Sequence, residues 1–229
     1  RERVLMSAQQ LPPQRSMAIT VQIVSIVFYT FIAFLCIGLP IAVLPSYVHE
    51  QLGFSAIIAG LVIGSQYLAT LLSRPMAGRM SDTIGTKRAI VYGLLGIVLS
   101  GALTLLSTLL QSYPLPSLLI LILGRLLLGI AQGLIGVGTI SWCMGQVGVE
   151  HTARSIGWNG IASYGAIAIG APLGVVMVAE YGFTSLGISL SVLAAGALLL
   201  IRNKPSVPVI RGERLPFWAV FGRIAPFGA

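Results

Sequence analysis

Charged side chains are scarce in this chain: they make up 9% of its 229 residues, about a third of what a soluble domain carries. A water-facing surface is not built at that density. Only six of them are carboxylates. Glu2, Glu50, Asp82, Glu150, Glu180 and Glu213 all stand outside the long apolar runs, so no span offers an acid for hydrolysis or proton carriage. The two cysteines, Cys36 and Cys143, lie within apolar stretches, which argues against a disulfide framework or a metal site. The two histidines, His49 and His151, fall in connections. No polar stretch is long enough for a soluble catalytic domain. An enzyme is therefore not expected, and neither a cofactor nor a metal is required.

What the chain has instead is apolar length. Six stretches contain no Asp, Glu, Lys, Arg or His: Ser16 to Val48, Gln51 to Ser73, Ala89 to Gly124, Leu126 to Val149, Ser155 to Ala179 and Tyr181 to Ile201. Each reaches the roughly 20 residues that a helix needs to cross a hydrocarbon layer about 30 Å thick. Backbone groups in lipid must satisfy one another, so the stretches are expected to be helices. A hydrophobic content of 56% and a mean hydropathy of +0.93 agree with an all-α membrane bundle.

The formal charge of +8 reads as topology rather than as a nucleic-acid surface. Basic residues number three before Met17, four from Arg74 to Arg88, one at Arg154 and five after Ile201, while the turns near His49, Tyr113 and Glu180 have none. Positive residues stay in the cytoplasm, which predicts a cytoplasmic N-terminus and cytoplasmic loops at alternate connections. Attraction to anionic lipid is a secondary consequence. Residues 1–17 are read as a flexible cytoplasmic tail, 18–201 as the six-helix bundle, 202–214 as a basic, proline-broken cytoplasmic loop and 215–229 as the start of a truncated seventh helix.

Proline and glycine set the helix limits. Helix one is expected over Ile19 to Leu44, bent and ended by Pro40 and Pro45, and helix two from after Gly53 to Ser73. Helix three is expected from Ala89 to Gln111, ahead of Tyr113-Pro114-Leu115-Pro116. Helix four runs from Ser117 to the Gly145 region, helix five from Ile156 to Ala179 and helix six from Thr184 to Ile201.

The most specific local pattern is Gly78-Arg79-Met80-Ser81-Asp82-Thr83-Ile84-Gly85-Thr86-Lys87-Arg88, in the connection between helices two and three. It resembles the loop signature of the major facilitator superfamily, which reads Gly, three residues, Asp, a basic residue, any residue, Gly and two basic residues. Gly78, Asp82, Gly85 and Lys87 fall on that pattern with Arg88 one place beyond, whereas Thr83 and Thr86 depart from it. Gly78 would allow a close helix approach, and Asp82, held by nearby cations, would form a latch between two bundles. The alternative is that Asp82 caps helix three while Lys87 and Arg88 fix orientation.

Arg125 stands alone in the apolar helix four, roughly 15 Å deep if the helix begins near Leu115. An unpaired arginine there costs at least about 2.5 kcal/mol, so it is expected to face a wet cavity or a polar partner. Gly129, Gln132 and Gly136 share its helix face. The Arg125 and Gly129 spacing is similar to the superfamily's helix-four pattern, which implies a cavity or coupling role; snorkelling is the alternative. In helix five, Gly165, Gly170, Pro172 and Gly174 resemble a glycine and proline motif of antiporter members, although Ala171 replaces the usual glycine, and they imply a hinge. Tyr29, Gln22, Gln66, Tyr67, Asn159, Ser163 and Tyr164 are further polar candidates for solute contact, each of them also able to pair with a neighbouring helix.

The resemblance, nearest to the YhhS/YfcJ-type branch, implies the first six-helix bundle of a twelve-helix fold with a 3+3 inverted repeat. Asp82 with Gly85, and Glu180 with Gly182, are a faint echo of that repeat. The implied function is secondary active transport of a small organic solute, by proton-coupled efflux through alternating access, in the bacterial inner membrane. Its implied partners are the solute, protons, the lipid bilayer and a missing C-terminal half-bundle, without nucleic acid. A non-transporting membrane fragment or packing partner is one alternative. An intramembrane serine protease using Ser141 or Ser163 is another, disfavoured because neither histidine lies in a span.

Overall fold

A computed structural model describes residues 13–207, with side chains described from Ser16. Six long helices account for most of them: α1 (Pro13–Ile41), α2 (Ala56–Ile84), α3 (Thr86–Leu109), α4 (Pro114–Val147), α5 (Thr152–Tyr181) and α6 (Thr184–Arg202). All six are long and apolar enough to cross a membrane. The predicted seventh helix and most of the predicted tail and basic loop fall outside the described residues.

The apolar runs located the helices, but charge did not mark their ends. α1 starts at Pro13 rather than Ile19, so part of the segment read as a tail is helical. Its other end behaves as the prolines require: the helix stops at Ile41 just past Pro40, and Leu44–Ser46 leads into a π-helical turn at Tyr47–Gln51. The Tyr47 ring stacks on Phe183 with centroids 3.8 Å apart, which ties this turn to the start of α6.

The largest correction concerns α2. Arg74 was expected to lie just past its end, yet the helix continues to Ile84 through Pro75. A charge limits the part of a helix that sits in hydrocarbon; it does not unwind the helix. At 29 residues, α2 is about 43 Å long, well beyond a hydrocarbon layer of about 30 Å. What stops it is Gly85, whose φ of 97° and ψ of 148° suit only a residue without a Cβ. The supposed loop between helices two and three is thus one residue.

Glycines with positive φ recur at Gly53, Gly85, Gly148 and Gly182. They stand at the connections α1–α2, α2–α3, α4–α5 and α5–α6, so the two helical triplets reverse direction by the same means at the same places. Helix pairing repeats as well: α4 packs on α2 as α1 packs on α5, and α3 packs along α6. This is the six-helix bundle with the expected 3+3 organisation.

Small residues bring the backbones together, as membrane packing demands. A Cβ on Gly129 would lie 2.2 Å from the Gln66 carbonyl oxygen, and one on Gly133 would lie 2.3 Å from Ser73 Oγ, so these two glycines seat α4 on α2. Gly101 of α3 and Gly187 of α6 meet in the same manner. Serines fasten α3 to α4: Ser100 Oγ donates to the Gly124 carbonyl at 2.7 Å, and the Ser107 and Ser117 hydroxyls are 3.0 Å apart. The most enclosed spans are α1 and α4, with 72% and 56% of their apolar windows buried, whereas α5 has only 22%. α1 and α4 are the inner pair, and α2 and α5 flank them with a face left open.

Candidate functional site

That open face holds a cleft. On α2, Tyr67, Thr70 and Arg74 follow at helical spacing along one stripe, and on α5 Asn159, Ser163 and Tyr164 form the facing stripe. Gln132 of α4 and Phe34 of α1 lie between them. The cleft has a volume of about 560 Å³, and a recess of about 200 Å³ continues from its floor to Gly133 and Gly136.

Local hydrogen bonding decides which polar atoms are available. Thr70 Oγ1 donates toward the Gln66 carbonyl at 2.9 Å and toward Gln132 Oε1 at 3.1 Å. With Gln132 Oε1 engaged, its amide nitrogen is left as a donor. Ser163 Oγ donates to the Asn159 main-chain carbonyl at 2.8 Å and is therefore spent within α5. The Asn159 side-chain oxygen is buried with no hydrogen-bond partner among the described residues.

The polar residues singled out from sequence divide into two groups. Tyr67, Gln132, Asn159 and Tyr164 meet in the cleft. Tyr29 and Gln66 do not. Tyr29 is 1% exposed and stacks on Trp142 with centroids 6.0 Å apart, and Gln66 is 4% exposed beneath Gly129. Apolar helices reveal that a polar residue is unusual without revealing which neighbour covers it. Arg74, Thr70 and Phe34 line the cleft and were missed. Tyr67, Thr70 and Arg74 stand at i, i+3 and i+7, a spacing that would have found Arg74 had it not been counted as a loop cation.

Arg125 also needs correction as a cavity residue. The side chain is 1% exposed and does not line the cleft. Gly129, one turn on, is covered by α2, so on this helix face it is Gln132 and Gly136 that reach the open side. Among the described residues, Nε and Nη2 of Arg125 have no hydrogen-bond partner, and neither do Thr30 Oγ1, Gln66 Nε2, Thr139 Oγ1 and Trp142 Nε1. A native interior leaves few such groups.

At the end of the bundle that carries Gly85, the expected latch residues are arranged differently. Asp82 is exposed in the last turn of α2, and α3 has Gly85, not Asp82, at its N-cap. A Cβ on Gly78 would meet nothing within 4 Å, so no described helix approaches there. Lys87 Nζ donates to the Arg202 carbonyl at 3.1 Å and to the Lys204 carbonyl, holding the end of α6. Arg88 is exposed, and with Lys87 and Gly85 it borders a recess closed on its other side by Ser206 and Val207. In α5, Gly170 and Gly174 press against Gly38 and Leu39 of α1, whereas Gly165 faces open space and the helix runs unbroken through Pro172. Among the described residues, no group of three or more His, Cys, Asp or Glu is placed to hold a metal ion.

Comparison with known proteins agrees with this architecture. The Major Facilitator Superfamily profile matches residues 26–225. An uncharacterized MFS-type transporter of Burkholderia pseudomallei (strain 1106a) is 48% identical over 223 residues, which is 97% of this chain and 55% of the relative. One from Pseudomonas aeruginosa (strain LESB58) is 52% identical over 220 residues, 95% of this chain and 55% of the relative. The chain thus spans about half the length of these relatives. Among solved structures, a D-xylose-proton symporter superposes with a TM-score of 0.66 at 15% identity, covering 89% of this chain and 53% of that one. The human organic anion transporter MFSD10 (TETRAN) gives a TM-score of 0.67 at 20% identity over 91% of this chain and 52% of that one. These two likenesses show the fold. Six apolar helices, their shared pairing and the match along nearly the whole chain lead to one assignment: this is a multi-pass membrane protein of the Major Facilitator Superfamily.

Proposed function

We propose that the chain forms one wall of a secondary active transporter that moves a small organic solute by alternating access. The observation that carries this reading is the cleft on the open face of α1, α2, α4 and α5, with a polar floor at Gln132 and Asn159. A single bundle supplies only half a passage. A second six-helix bundle closing on the same face would bury Tyr164, now 77% exposed, and complete the site. The relatives' greater length supports that partner.

Following the distribution of basic residues, the end bearing Gly85 and Arg154 faces the cytoplasm of a bacterial inner membrane. Proton-coupled efflux is the mode we favour, with Arg125 as a coupling residue. Its unpartnered donors lie in the α1–α4 interface rather than in the cleft, so it would act by favouring one arrangement of these helices over another. Among the described residues the carboxylates Glu50, Asp82, Glu150 and Glu180 stand at helix ends and connections, so a proton-carrying acid is expected in the opposing bundle.

The experiment is flux into proteoliposomes under an imposed pH gradient, with the full-length transporter and with residues 1–229 alone. The full-length protein is expected to give saturable flux, and the single bundle none unless two copies pair. Arg125→Met removes a buried unpaired charge, so it should preserve or raise stability, by about 1–4 kcal/mol, while cutting flux at least tenfold. Unchanged flux in that variant would refute the coupling role, and saturable flux by a monomeric single bundle would refute the two-wall mechanism.

A further inference from the structure

We infer that the cleft selects organic anions with a flat aromatic body; this assignment of solute class rests on the transport reading above. The charge of the lining is one-sided. Among the described residues that line it, Arg74 is the only ionisable cation, and no described Asp or Glu borders either the cleft or the recess beneath it. Arg74 is also distinct from the other basic residues near it. It stands ten positions before the end of α2, on the same stripe as Tyr67 and Thr70, so its guanidinium belongs to the cleft wall and not to a connection.

The remaining lining suits the rest of such a solute. Tyr67 and Tyr164 offer exposed aromatic surface on opposite walls, 45% and 77% accessible, and Phe34 adds a third ring at the floor. Planar apolar groups stack on such rings. A guanidinium recognises a carboxylate or sulfonate through two parallel N–H donors. Gln132 supplies a further donor through its amide nitrogen. A cationic solute would find aromatic faces here too, but it would meet Arg74 with no carboxylate on this wall to offset the repulsion.

Equilibrium binding to the full-length protein in lipid nanodiscs tests the assignment with three probes of one shape: hydroxynaphthoate, its neutral amide hydroxynaphthamide, and the corresponding aminomethyl cation. The acid is expected to bind at least tenfold more tightly than the amide, and the cation more weakly than either. Arg74→Gln should reduce the acid-to-amide ratio to within about twofold, with a wild-type melting temperature reporting that the variant is folded. Arg74→Lys should keep an intermediate ratio. Tyr164→Ala should weaken acid and amide by the same factor. An amide bound as tightly as the acid by the wild type, no binding of any probe, or a ratio unaffected by Arg74→Gln would each overturn the proposal. Binding needs no translocation, so the two readings fail separately. Anion-selective binding without flux of any solute would sink transport alone, and flux of a neutral or cationic solute without acid binding would sink the anion assignment alone.

Discussion

Gly174→Ala is the most demanding substitution in the bundle. A Cβ at this position would lie 1.7 Å from the Leu39 carbonyl oxygen, where ordinary contact begins at 3.4 Å. Neither atom is at the end of a flexible side chain, so α1 and α5 must separate by about that shortfall for the methyl group to fit. Dispersion falls off steeply: a gap of only about 0.5–1 Å forfeits a quarter to a half of the attraction. The neighbouring contact of Gly170 with Gly38 would be opened by the same movement. Overpacking of this kind costs about 1–3 kcal/mol, or a fall in melting temperature of roughly 2–4 °C for each kcal/mol in a domain of this size. Gly165→Ala is the internal control, since it lies on the same helix with nothing within 4 Å. Alanine there gains about 0.5–1 kcal/mol of helix propensity at no steric cost. Thermal unfolding of both variants in detergent, followed by fluorescence-detected size exclusion, should separate them by several degrees. Equal melting temperatures would refute the claim that a glycine-tight α1–α5 contact holds the bundle together.

Two further substitutions probe its ends. Gly182→Ala tests backbone strain alone, because its φ of 73° is unfavourable for alanine while the surrounding space is open. It should lose about 1–3 kcal/mol in the same melting assay, and a wild-type value would show that the α5–α6 reversal does not depend on this conformation. Lys87→Ala removes the donor that holds the Arg202 and Lys204 carbonyls. Trypsin cleavage after Arg202 should accelerate about fivefold to tenfold, matching the loss of a charge-assisted bond of about 1–1.5 kcal/mol. An unchanged rate would mean that α6 is secured by other contacts.

The fold was largely legible because lipid restricts the choices: long uncharged runs must be helices, and six were readable as six. The connections were harder. Gly85 was read as part of a signature and not as the whole connection, since nothing in a row of letters distinguishes a polar helical turn from a loop. For the same reason Arg74 passed for a topological charge, although it occupies the cleft stripe. Tyr67, Gln132, Asn159 and Tyr164 were readable as unusual polar residues, and the structure brings them together. Tyr29 and Gln66 were equally unusual but proved to be covered. Whether a polar side chain in an apolar helix is covered or open depends on the rotation of its helix relative to its neighbours. Here the contacts at Gly129 and Gly133 set that rotation for α4, and a pairwise contact is not visible in either helix alone.

The reversal at Gly85 leaves no slack between α2 and α3. Two rods joined through one residue cannot slide past each other or trade length, so a push on the tip of either is delivered to both as torque. With Lys87 fastening the foot of α6 to the same corner, α2, α3 and α6 are yoked together at that end, and any rearrangement is left to helices that do not share the yoke.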